Sequence, residues 1–114
     1  MISHVVLMKF HSDVADSEID DLERLLNALP DTIIEIQSYE FGRDVVHSER
    51  SYDFALVSLF ANIPALNRYQ NHPDHLKVLE MLKKMCQSII TADFEVTLRE
   101  DKQDWSSFTE LPDM

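Results

Sequence analysis

Two segments of this chain, residues 2–10 (ISHVVLMKF) and 52–60 (YDFALVSLF), read as β-strands that are apolar on both faces. In the first, His4, Val6, Met8 and Phe10 point one way, and Val5, Leu7 and Lys9 the other. In the second, Phe54, Leu56 and Phe60 oppose Ala55, Val57 and Leu59. A strand with one wet face alternates with polar residues, whereas these must be covered from two sides. That requirement limits the folds open to the chain more than any other feature.

The intervening elements follow from periodicity. Residues 17–29 (SEIDDLERLLNAL) have Ser17 as an N-cap, acidic groups in the first turn and Ile19, Leu22, Leu25, Leu26 and Leu29 at helical spacing; Pro30 is expected to end the helix. Residues 33–41 read as a second strand, closed by a turn or bulge at Gly42 and a polar loop over 43–50. A short helix over about 64–69 precedes a second one starting at Pro73, where proline suits the first helical position. Leu76, Leu79, Leu82 and Cys86 line one side of that second helix, widened by Val78, Met85 and Ile89, and residues 92–98 form the last strand. The order β-α-β-β-α-β predicts an α+β, ferredoxin-like subunit of four antiparallel strands and two helices.

Helices cover only one face of such a sheet. The other would expose an apolar patch above a few hundred Å², and a second copy is the simplest cover, so a homodimer with sheets packed face to face is expected. Residues 1–98 make the domain. Residues 99–114 are a separate acidic tail with Trp105, Phe108 and Leu111 as its apolar anchors.

Composition excludes several classes of function. A net charge of −11 argues against nucleic acid or an anionic membrane as partner. With Gly42 the only glycine, no phosphate-cradling loop exists. Cys86, the only cysteine, rules out an internal disulfide or a thiolate zinc cluster and reads as an inert buried thiol in the helical pattern. No apolar run approaches the ~20 residues of a membrane span. Met1 leads straight into the first strand with no signal peptide visible, which sets a cytoplasmic expectation.

The stretch 64–86 places Tyr69, His72 and His75 around a chain reversal. His72, preceding proline, is pushed to extended backbone. His75 falls in the first helical turn, where the helix dipole favours the neutral imidazole that a proton acceptor requires. Paired with it, the Tyr69 hydroxyl would hydrogen-bond an enolate developing as His75 removes a proton alpha to a carbonyl, with no cofactor. The competing structural reading has His75 capping the helix start and Tyr69 packing at the reversal. His4 is a core histidine or the polar floor of a pocket. His72 and His75 lack an evident third ligand, so no metal is expected. Met8, Met81 and Met85 read as core filler.

HVVLMKF at 4–10, YEFGR at 39–43, YDFALV at 52–57, YQNHPDH at 69–75 and ADFEV at 92–96 together resemble the stress-responsive dimeric A/B barrel (Dabb) family. The resemblance implies a homodimeric α+β barrel, and for many relatives an unassigned role associated with stress. One plant member closes a linear polyketide by an aldol reaction with a tyrosine and a histidine. Those roles fall on Tyr69 and His75, with His4 in the pocket and Val6, Met8, Leu22, Leu26 and Leu56 at its walls. This chain departs from that enzyme at Leu22, Glu23 and Leu26, which replace larger aromatic groups, and near the end of the second helix, where Cys86 or a neighbour replaces a tryptophan. A polyketide is therefore one candidate among small apolar or phenolic ligands. Haem, which other dimeric α/β barrels use, would need His75 or His4 as an axial ligand.

Overall fold

A computed structural model describes residues 1–98; the expected acidic tail at 99–114 lies outside the described residues. The elements are β1 (Ile2–Phe10), α1 (Asp16–Thr32), β2 (Ser38–Arg43), β3 (Phe54–Phe60), α2 (Ile63–Asn71), α3 (Pro73–Met85) and β4 (Cys86–Glu95). The strands form one antiparallel sheet in the order β2-β3-β1-β4. This is the ferredoxin-like arrangement, with the second crossover split into α2 and α3.

Register explains where the core lies. On β1 the residues Ile2, His4, Val6, Met8 and Phe10 are all buried, as are Phe54, Leu56, Ser58 and Phe60 on β3. Leu22, Leu26 and Leu29 of α1, Ala65, Leu66 and Tyr69 of α2, and Val78, Leu82 and Met85 of α3 close over that face. The opposite face carries Val5, Leu7, Ala55, Val57, Leu59, Ile90, Ala92 and Phe94, which the register places side by side. Val57, Ile90 and Phe94 remain 40–51% exposed there. The subunit thus covers one apolar face and leaves the other open.

Several expected boundaries move. Helix α1 starts at Asp16 because Ala15, not Ser17, stands at the N-cap, with the Glu18 carboxylate reaching back to accept from the Ala15 amide at 3.2 Å. Pro30 sits inside the helix, which runs on to Thr32. Its missing N–H forgoes one bond, to the Leu26 carbonyl, a loss confined to the last turn, where the ring is exposed. Leu25 does not join the apolar face and is 45% exposed. Residues 33–36 form a turn (the Ile36 amide donates to the Ile33 carbonyl at 3.2 Å), so β2 begins only at Ser38. Gly42 is no turn: it pairs with Ala55 inside β2, and its Cα faces open space on the uncovered side.

The last strand is longer and earlier than expected. It pairs with β1 from Phe10↔Cys86 to Ile2↔Glu95, so Cys86 opens β4 instead of ending a helical stripe. Met85 and Ile89 mimic an i,i+4 step but belong to different elements. Leu76 is exposed, and Val78, Leu82 and Met85 form the buried side of α3. Burial, then the nearby Asp53 carboxylate, pushes the Cys86 thiol up to about 11, which keeps it protonated and unreactive at neutral pH.

Candidate functional site

A single polar row crosses the covered face of the sheet. Tyr39 on β2 lies opposite Ser58, Ser58 opposite His4, and His4 opposite Asp93 on β4. Directly opposed residues share a face, so all four side chains point toward the helices. The row on one side of it holds Phe41, Leu56, Val6 and Thr91, and the next holds Phe54, Met8 and Ile89. The α2–α3 junction sits above this band and lowers Tyr69 and His75 onto it.

The junction is built by caps. Asn62 accepts from the Ala65 amide at 2.9 Å to start α2, with proline in the first turn. His72 ends α2 in extended backbone and its Nδ1 accepts from the Asp74 amide at 3.1 Å, starting α3. The helix cap is therefore His72, and His75 has a different task. Its Nδ1–H donates to the Gln70 carbonyl at 3.1 Å. That bond fixes the tautomer and leaves Nε2 as the acceptor. Burial lowers the His75 pKa below its ordinary 6.5, against a smaller opposing effect of the Gln70 bond, so the imidazole is neutral at pH 7.

Tyr69 is 1% exposed and touches every other ring in the site. Its ring centre is 4.4 Å from that of His75, 4.8 Å from Phe60 and 6.3 Å from His4. Its hydroxyl lies 2.7 Å from the hydroxyl of Tyr39. Burial pushes Tyr69 up to about 12, so it is a neutral phenol at physiological pH. On the other side His4, 5% exposed, donates through Nδ1 to the Asp93 carboxylate. Asp93 is 37% exposed, so the pair joins a buried imidazole to solvent. Among the described residues no buried side-chain nitrogen or oxygen lacks a partner, and the Nε2 atoms of His4 and His75 make no hydrogen bond there. Both are thus left open to the space between them.

That space is a cavity of about 230 Å³ between sheet and helices, lined by His4, Val6, Met8, Leu26, Leu56, Tyr69, Gln70, His75, Val78, Leu79, Leu82, Ile89 and Thr91. Seven of the eight residues expected from the sequence lie on its wall. Leu22 does not: it is fully buried in the core beneath α1. Sequence reasoning missed Asp93, Tyr39, Gln70 and the α3 wall. Asp93 and Tyr39 become visible only through strand register, because each lies far from His4 and Tyr69 in sequence. No helix among the described residues is long and apolar enough to cross a membrane.

Against known families, the model of the Stress responsive A/B Barrel Domain matches residues 2–96. The chain belongs to that family. It is 29% identical over 97 residues to a stress-response A/B barrel domain-containing protein of Arabidopsis thaliana, covering 82% of this chain but 36% of that protein. The chain therefore spans well under half the length of that plant relative. An uncharacterized protein of Streptomyces coelicolor is 30% identical over 97 residues, covering 83% of this chain and 99% of its own length. Among solved structures, a dimeric ferredoxin-like protein of unknown function from Thermobifida fusca matches with a TM-score of 0.77 at 28% identity, covering 83% of this chain and 90% of that one.

The neutral, buried His75 has a pH consequence. Its folded pKa lies below the unfolded 6.5, so its contribution to stability is complete above that value. As the pH falls from there toward the folded pKa, the unfolded chain binds a proton that the folded one refuses, and stability drops. Urea midpoints measured above and below the unfolded value should fall with acidification, and His75→Gln should flatten that part of the slope. An unchanged slope in the variant contradicts the buried neutral imidazole.

Proposed function

We propose that this Dabb-family protein is a homodimer whose subunits each bind a small, mostly apolar ligand bearing a phenolic or carbonyl oxygen. The observation that carries the reading is the convergence of Tyr69, His75 and His4 on one apolar cavity. Ligand sites pair apolar walls with a few such polar groups. At about 230 Å³ the cavity falls below the ~300–1,000 Å³ of sites for drug-sized molecules, so it suits a single ring or a short chain. Haem would require the helices to part.

The dimer rests on the uncovered sheet face, where Val5, Leu7, Val57, Leu59, Ile90 and Phe94 adjoin. The Thermobifida structure being described as dimeric adds to that reading.

A second reading, a cofactor-free lyase or cyclase, is favoured by the fixed His75 tautomer. Nε2 would take a proton alpha to a ligand carbonyl while the Tyr69 hydroxyl steadies the enolate oxygen, so that the C–H electron pair moves into the enolate. The enolate carbon would then attack a second carbonyl of the ligand, whose C=O π pair moves onto its oxygen, and His75 would return the proton to that alkoxide.

Absorbance titration with 4-nitrophenol tests the binding, with one saturable site per subunit expected. Tyr69→Phe should weaken affinity about tenfold or more, as for a hydrogen bond to a charged group. Absence of saturable binding contradicts the ligand reading. Deuterium exchange into acetylacetone separates the two readings. Acceleration lost by about 10²–10⁴-fold in His75→Ala supports the enzyme. Binding without exchange leaves a carrier.

A further inference from the structure

Tyr39 stands at one end of the polar row and does not line the cavity. Its hydroxyl touches only that of Tyr69 among the described residues. Each phenol has a single proton, so the 2.7 Å contact leaves two arrangements. If Tyr69 donates, the Tyr39 proton has no protein acceptor and Tyr69 turns only lone pairs to the cavity. If Tyr39 donates, its proton is satisfied and the Tyr69 proton is released to the cavity. The second arrangement pairs the Tyr39 proton inside the protein and turns the Tyr69 proton to the cavity, where a ligand oxygen can accept it.

The surroundings agree. Tyr39 is held mostly out of water between Phe41 and Tyr69, with ring centres 6.3 and 6.2 Å away, so its phenol is oriented by packing. Burial, then the charge and hydrogen bond of Tyr69, raises the pKa of Tyr39; burial raises that of Tyr69, against a smaller opposing effect of the bond from Tyr39. His4 and His75, whose Nε2 atoms make no hydrogen bond among the described residues, line the same cavity as Tyr69. One wall then donates and the others accept.

We propose that Tyr39 is a positioning residue: it commits Tyr69 to donate into the cavity, and so makes the site select ligands whose oxygen accepts, above all an enolate or phenolate. The selection rests on the ligand-binding reading of the cavity; the direction of the Tyr39–Tyr69 bond does not. A chain of two hydroxyls spreads the charge of a bound oxyanion over both, strengthening the terminal bond. An ether of the same shape gains nothing from it.

Two measurements on the full chain test this. In the first, 3-fluorotyrosine at position 69 is titrated by ¹⁹F NMR, with and without Tyr39→Phe. Loss of the donor should raise the midpoint at position 69. A midpoint that stays or falls shows that Tyr39 does not support an oxyanion at Tyr69 and overturns the proposal. In the second, 4-nitrophenolate and 4-nitroanisole are titrated into the wild type and Tyr39→Phe, which keeps the ring packing. The phenolate should bind about tenfold more weakly in the variant, with the anisole unmoved. Equal weakening of both means a merely structural role and overturns it as well. If 4-nitrophenolate does not bind the wild type, the ligand reading fails, while the fluorine titration still decides whether Tyr39 supports an oxyanion at Tyr69.

Discussion

Val57→Asp is expected to yield a monomer at concentrations where the parent chain pairs. Val57 lies near the middle of β3 on the uncovered face, directly opposite Val5 and Glu40 in the ladder. It is 40% exposed in the subunit, so a carboxylate there is solvated until a second sheet approaches. A two-fold interface counts each substitution twice. Two carboxylates taken out of water without partners cost several kcal/mol each, and they repel one another. The dimer should weaken by more than about a hundredfold, with the subunit still folded. Sedimentation velocity across a dilution series reads the result. An unchanged dimer would mean that the sheets do not meet at Val57.

Phe60→Ala should lower folding stability by about 3–5 kcal/mol. Phe60 is fully buried at the end of β3, opposite Ile2, and its ring supports Tyr69 at 4.8 Å and His4 at 6.5 Å. Removing it deletes a large apolar group and leaves a void that a strand cannot collapse to fill. The same change frees Tyr69 to leave the geometry that faces His75. Phe60→Leu, which restores much of the volume, should cost less than half as much. Urea unfolding decides the matter, and a loss under about 1 kcal/mol would show that the site does not depend on this packing.

The two-faced apolar pattern of β1 and β3 was enough to predict the sheet, the helix-covered face and the open one. Tyr69 and His75 were legible because proline and histidine punctuate the reversal between α2 and α3, and the caps Asn62 and His72 obey local rules. What stayed hidden depends on register. His4 meets Asp93, and Tyr39 meets Tyr69, only after β4 pairs along the whole of β1 and β2 joins the far edge. The first turn of β4 was misread because Met85 and Ile89 keep helical spacing across a helix-to-strand change. Pro30 was misread because forgoing one hydrogen bond, to the Leu26 carbonyl, does not stop the helix from running on to Thr32. Leu22 was placed at the cavity by resemblance, but α1 turns it into the core and leaves Leu26 on the wall.

A crystal structure of the protein grown with 4-nitrophenol bears most closely on the idea that the Tyr69–His75 cavity is a ligand site. The expected result is one ring per subunit between Leu26, Leu56 and Leu82, with its oxygen within hydrogen-bonding distance of the Tyr69 hydroxyl. A cavity closed by its own side chains, or a phenol held only on the outer surface, would contradict it.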